Sequence, residues 1–500
     1  MTRFIINILL LAGIMVLPAG CSGFLEPEMK GSTDLKQLIS TEQGMITMVN
    51  GMYQPLQPSY KNPMQRLTDL ASDDGWTWRN ELEPDLFIVE ASFPFSATIW
   101  QQYFRGIGRA NVILDNLDEV KDYTSTNQKD YFEGQALFMR AYYYFHLVRL
   151  FGGVPIFLNQ IGSIDDAQQP RASIQEVYVQ IINDLNNAER LLPTEYTGGA
   201  GMETGRPTTY SASALKTLVY LETENWDGVI ESSSKVIGTG NLINYANNFN
   251  GTSKNGPQSL FEVQFGGTTD ALTTSISSFY APTSYSGSAL ILPTDDSFNG
   301  GGGGPSSGGS FVQAFEENDT RKDVIMATYD LPNFIDASKP AGSLFYVNKY
   351  YNTVNTVGRS TWNFPLIRYA EILLAKAEAL NEKGYVAEGE AFSLLNEVRE
   401  NAGLKALTSG DAATREDLSA YIRNERRIEL SFECIRYFDL NRWGIMQPVI
   451  QRQLDYLNMT FPQRKLITHP ITGKAYFLYP IPETEFVNNA RLGEQNPGYN

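Results

Sequence analysis

A mainly α-helical fold of stacked helix hairpins, carrying one large irregular insertion, is what this 500-residue sequence predicts. Three observations lead there. Apolar residues recur at helical spacing in long segments on both sides of the chain's middle. Small residues, among them Ala214, Ala375 and Ala379, sit where paired helices would touch. Residues 239–365 lose the periodicity and fill with Gly, Ser, Thr and Asn, including five consecutive glycines at 300–304.

The N-terminus reads as a targeting segment. Arg3 gives a basic start, and Phe4 to Leu17 is a mostly apolar run of 14 residues. A membrane-spanning helix needs about 20, so the run fits a signal-peptide core. Leu17-Pro18-Ala19-Gly20-Cys21 then resembles a bacterial lipobox, although Pro18 stands where Leu is commonest. The chain has two cysteines, and Cys21 and Cys434 make no framework of spaced bridges. Cys21 is therefore expected to be the lipid-modified first residue of the mature chain. Residues 1–20 form the signal, and 21–500 a single domain with its helical scaffold at about 35–238 and 366–450.

Along that scaffold, 99–117 predicts a helix partnered with 131–150. In the latter, Phe132, Ala136, Met139, Tyr143, Leu147 and Leu150 mark one face, and FGGVP at 151–155 stops it. Segment 174–192 is a further helix, ended by Pro193. Segment 211–238 reads as two short helices around Asn225-Trp226-Asp227, with Ser211 as N-cap and Gly238 as stop. Segment 366–401 repeats the hairpin, and 414–433 adds another helix. Such hairpins look tetratricopeptide-like; neither face is buried by one alone, so stacking is required. The insertion at about 239–365 is expected to lie on the scaffold as loops and short strands such as LFEVQF, where binding residues tend to sit.

Composition narrows the function. Hydrophobic residues at 42% and charged residues at 19% describe a folded protein. A net charge of −17 argues against nucleic acid or bare anionic lipid as partner. Two histidines disfavour zinc or iron chemistry, and no cofactor is expected. Asp69, Asp73 and Asp74 resemble a calcium cluster only loosely, without EF-hand spacing.

The stretch NERRIELSFECIRYFDLNRWG (424–444) spaces Arg426, Glu429, Glu433, Arg436, Asp439 and Arg442 at steps of 3 and 4, one face of a continuous helix. Like-charged Glu429 and Glu433 offer an acid–base site. An ion-pair ladder is favoured, because each carboxylate has an arginine one turn away. The same stretch resembles the signature of the SusD/RagB family of outer-membrane nutrient-binding lipoproteins. So do 136–155, 367–384, the ending YPIPETEF…QNPGY, and FLEPE after Cys21. Cys434 departs from the family, which usually has glycine there. The resemblance implies a tetratricopeptide-like scaffold with a ligand face made by its loops. It also implies an outward-facing position in the outer membrane above a SusC-type TonB-dependent transporter. There the lipoprotein acts as a lid that binds glycan without cleaving it.

The expected glycan contacts are Trp76 and Trp78 with Asp73, Asp74, Arg79 and Asn80 in SDDGWTWRNELEP (72–84), and Phe279, Tyr280 and Tyr285 in the insertion. Aromatic rings cover pyranose C–H faces while polar neighbours satisfy hydroxyls. Trp362 and Trp443, beside helix motifs, are assigned to packing. Two alternatives remain. A surface glycosidase would use carboxylates such as Asp73-Asp74 and Glu81-x-Glu83, set about 5–10 Å apart across a sugar. A peptide- or protein-binding adaptor would use the concave face of the repeats.

Overall fold

The computed structural model describes residues 38–77, 83–266, 273–281, 291–294, 310–330, 343–350, 360–456 and 458–499. Its frame is a series of antiparallel helix pairs. Helices α1 (Glu42–Tyr53), α2 (Pro94–Asn116) and α3 (Gln128–Phe151) pack together, and α4 (Ile174–Leu191) closes against α3. Then α5 (Thr209–Glu222) pairs with α6 (Trp226–Ser234), and α7 (Tyr369–Lys383) with α8 (Glu390–Asn401), while α6 and α7 pack across the join. Helices α9 (Arg415–Glu429) and α10 (Arg436–Arg442) follow. Ala375 and Ala379 are fully buried against Leu221 and Val229, where their small size lets α5, α6 and α7 approach. Among the described residues, no helix is long and apolar enough to cross a membrane.

Local chemistry sets the boundaries, and several differ from the sequence reading. Helix α3 is buried on every side from Gly134 to Phe151, not along one stripe, because it forms the centre of the domain. Its two arginines are matched inside. Arg140 donates to both oxygens of Asp184 at 2.7 and 2.8 Å, and Arg149 lies between the rings of Phe145 and Phe438, 3.8 and 3.7 Å from their centroids. The N-cap of α5 is Thr208; Ser211, expected in that role, is the reciprocal N3 partner of a capping box. Residues 364–368 are a strand and α7 starts only at Tyr369, because Phe364–Arg368 pairs antiparallel with Ser259–Val263. That pair ties the two ends of the insertion together at the scaffold. Trp362 and Trp443 are buried as expected.

The charged stripe is not one helix. Helix α9 ends at Glu429 and α10 begins at Arg436, with Phe432 and Cys434 between them at φ +56° and +64°. Cys434 thus occupies backbone that glycine, the usual family residue, adopts freely. The stripe is an ion-pair network as expected, but most of its partners come from elsewhere in the fold. Arg368 donates to Glu429 at 2.7 Å and to both oxygens of Glu433 at 2.7 Å. Arg321 bridges Asp319, Glu425 and Glu429. Asp439 lies between Arg426 and Arg442, and Arg442 continues to Glu378 at 2.6 and 2.7 Å. All of these side chains are buried.

Candidate functional site

The site begins where the helical frame hands the chain to its loops. After the short helix Pro63–Thr68, residues 69–77 run through the interior, every one buried. Strand β1 (Gly75–Trp76) pairs antiparallel with β2 (Leu292–Pro293) from the insertion. A Cβ on Gly75 would lie 2.7 Å from both the Asp69 carbonyl oxygen and Ile291 Cγ2, so glycine is what lets the segments close. Thr294 completes the junction: its N–H donates to the Asp74 carbonyl at 2.9 Å and its hydroxyl to the Asp73 carbonyl at 2.8 Å. The same hydroxyl accepts from Phe311 N–H at 2.8 Å.

Charge then pins this junction to the signature. Arg436 donates to both oxygens of Asp73 at 2.7 and 2.9 Å, and Arg427 donates through Nε to Asp74 at 2.6 Å. Burial pushes the Asp73 carboxyl up, but the Arg427 and Arg436 guanidiniums outweigh it and hold the group at about 2. Asp69 completes the anchor, accepting from the Tyr280 hydroxyl at 2.8 Å and from Cys434 N–H at 2.9 Å.

This geometry revises the expected contacts. Trp76 is 3% exposed and its indole N–H donates to the Pro293 carbonyl at 3.1 Å. An indole so bonded is part of the wall between the two loops, not a platform for sugar. Asp73 and Asp74 are buried ion-pair partners, so neither presents a carboxylate to a ligand or to a cation. Phe279 and Tyr280 are also interior, Tyr280 stacking on Tyr350 at 5.5 Å. Trp78, Arg79, Asn80 and Tyr285, together with Cys21, lie outside the described residues. Among the described residues, no group of three or more His, Cys, Asp or Glu side chains could hold a metal ion. Residue spacing does not reveal Arg427 as an anchor of the 69–77 segment: it stands in the signature, but its partner Asp74 is 353 residues away.

Two buried carboxyls make stability depend on pH. Burial raises Asp69 to about 7, against the hydrogen bonds from Tyr280 and Cys434. Burial likewise raises Glu371 to about 7, against the opposing pull of Arg426. Unfolded, both would titrate near about 4. Between those values the folded chain keeps protons that the unfolded chain loses, so stability falls as pH rises from about 4 to about 7. The contribution of these two groups to the unfolding free energy, read by urea titration, is expected to be larger at pH 5 than at pH 8, by on the order of 1–3 kcal/mol for each group. Asp69→Asn should remove part of that slope; an unchanged slope would remove Asp69 from the explanation.

Comparisons with known proteins agree with this architecture. A model described as the SusD family matches residues 257–499, and one described as starch-binding associating with outer membrane matches residues 24–221. SusD-like protein P2 of Formosa agariphila is 28% identical, with 99% of each chain covered. Surface glycan-binding protein A from Bacteroides fluxus has the same fold, with a TM-score of 0.72 at 22% identity over 92% of this chain and 100% of that one. A laminarin binding SusD-like protein also shares it, with a TM-score of 0.71, 22% identity and the same coverage.

Proposed function

We propose that this chain, which belongs to the SusD family, is a lipid-anchored outer-membrane protein that captures oligosaccharide or polysaccharide at the cell surface. In this reading it passes the glycan to a SusC-type TonB-dependent transporter, over which it acts as a lid. The observation that carries the reading is that two SusD-type family models together account for most of the chain, one of them described by starch binding and outer-membrane association. Supporting it are two proteins with the same fold, a laminarin binding SusD-like protein and a surface glycan-binding protein, and the lipobox ending at Cys21.

Binding without cleavage fits the chemistry of the loop. A general acid needs a proton near neutral pH. Asp73, at about 2 between two arginines, offers none. In this reading the anchored junction is a rigid base for the ligand contacts, which are Trp78, Arg79, Asn80 and Tyr285.

Affinity electrophoresis on β-1,3-glucan, α-1,4-glucan, xylan and mannan gels tests this. The mature chain is expected to be retarded by at least one glycan, and Trp78→Ala to be retarded clearly less than wild type, with an unchanged melting temperature. Trp76→Ala, by contrast, should lower the melting temperature. A folded Trp78→Ala protein retarded like wild type would move the site off this loop. Retardation by none of the glycans would remove the glycan reading.

A further inference from the structure

A second concavity shares no residue with the loop junction. It opens between the end of α1, the loop 203–206 and the strand Ser259–Val263, with a volume of about 440 Å3, within the ~300–1,000 Å3 range of small-molecule sites. Buried Leu56 and Val263 and the half-buried ring of Tyr53 supply its apolar wall.

Its charged groups already have partners. Arg206 donates to Glu203 at 2.7 Å, to Gln135 Oε1 at 2.9 Å and to Asn50 Oδ1 at 2.6 Å. Glu262 accepts from Asn255 N–H at 3.0 Å and from Asn363 Nδ2 at 2.7 Å. Arg206 is thus ion-paired, and the Glu262 carboxylate is buried and held by two neutral N–H donors, so neither charge is presented to an ionic ligand. What remains are neutral hydrogen-bonding groups. Gln57 uses Nε2 on the Gln264 carbonyl, and Asn50 uses Oδ1 on Arg206. Gln57 Oε1 and Asn50 Nδ2 keep no protein partner among the described residues.

The wall is also fixed in advance. Gly205 has φ +99°, and a Cβ there would lie 2.9 Å from the Gln264 side chain, so glycine lets the loop rest on the strand end. Gln264 is held in turn by a two-way amide pair with Asn255 at 2.8 and 3.0 Å. The Tyr53 hydroxyl donates to Gln135 at 2.9 Å, which sets the ring. An aromatic face, unpaired amides and partnered charges together are the chemistry that receives a neutral polyol.

The geometry points to a second saccharide subsite in this cleft, taking a neutral mono- or disaccharide unit with one ring face on Tyr53 and its hydroxyls on Asn50 and Gln57. This inference rests on the glycan-binding reading but not on the loop that carries it. Isothermal titration of the mature Cys21→Ala chain with short β-1,3-glucan, α-1,4-glucan, xylan and mannan fragments separates the two. Wild-type loops and cleft should bind two equivalents of at least one fragment. Asn50→Ala/Gln57→Ala, at positions open to solvent, should remove one equivalent or weaken it at least about tenfold, with an unchanged melting temperature. Tyr53→Ala should do the same, and Trp78→Ala should leave the cleft equivalent in place. Loss of all binding in the cleft variant would keep the cleft and overturn the loop. Wild-type titration of the cleft variant, with all binding lost in Trp78→Ala, would overturn the cleft alone. If no fragment binds, both readings fall.

Discussion

Replacing Arg368 by alanine is expected to destabilise the protein by on the order of 3–5 kcal/mol, the cost of leaving a buried charge unpaired. Arg368 is 2% exposed and makes four hydrogen bonds, three to the carboxylates of Glu429 and Glu433 and one to the Glu429 carbonyl. Both carboxylates stay buried after the substitution. Glu429 would keep Arg321 at 3.0 Å and Glu433 would keep Lys349 at 2.6 Å, which limits the loss but leaves one negative charge in excess. Burial lowers the Lys349 ammonium to about 8 against the pull of Glu433, so removing Arg368 leaves Glu433 dependent on the weaker base. Asp439→Ala should act alike, since it strips a carboxylate from both Arg426 and Arg442. Urea unfolding reads both effects. The glycan affinity of the folded fraction should not change. A loss below about 1 kcal/mol, the range of exposed pairs, would show that the network is not desolvated as described.

Substituting Cys21 by alanine or serine is expected to move the protein from the membrane fraction to the soluble one almost completely. Only a thiolate can take up a diacylglycerol by forming a thioether. With about 0.8 kcal/mol for each buried methylene, two or three chains make release negligible on the time of a fractionation, while their loss leaves nothing comparable. The net charge of −17 offers no attraction to anionic lipid. Equal membrane retention of Cys21→Ala, with no radiolabelled lipid on the wild type, would overturn the anchor.

What the sequence made legible was whatever is local. Helices α2, α4 and α8 follow their apolar spacing closely, because that signal lies within a few residues of its effect. The ion network was legible as residue types but not as partners. Step counting placed Glu429 and Glu433 beside arginines of their own helix, whereas Arg321 and Arg368 reach them from other segments. The break at Phe432 and Cys434 was hidden because nothing in those side chains announces positive φ. The loop tryptophans show the same limit. Trp76 stands among the expected glycan contacts by its neighbours, but its indole acceptor comes from Pro293, 217 residues on.

The anchoring of Asp73 by Arg436 joins positions 363 residues apart, and that separation fixes an order of events. The Asp73 carboxylate cannot take its two-point partner until the chain has been made past Arg436. Contacts so distant in sequence form late, after the helix pairs that need only local closure. A chain cut short before α10 would therefore keep its hairpins and the Arg427–Asp74 pair, and lack the two-point partner of Asp73. Closure of the 69–77 junction is thereby reserved for chains that extend past Arg436.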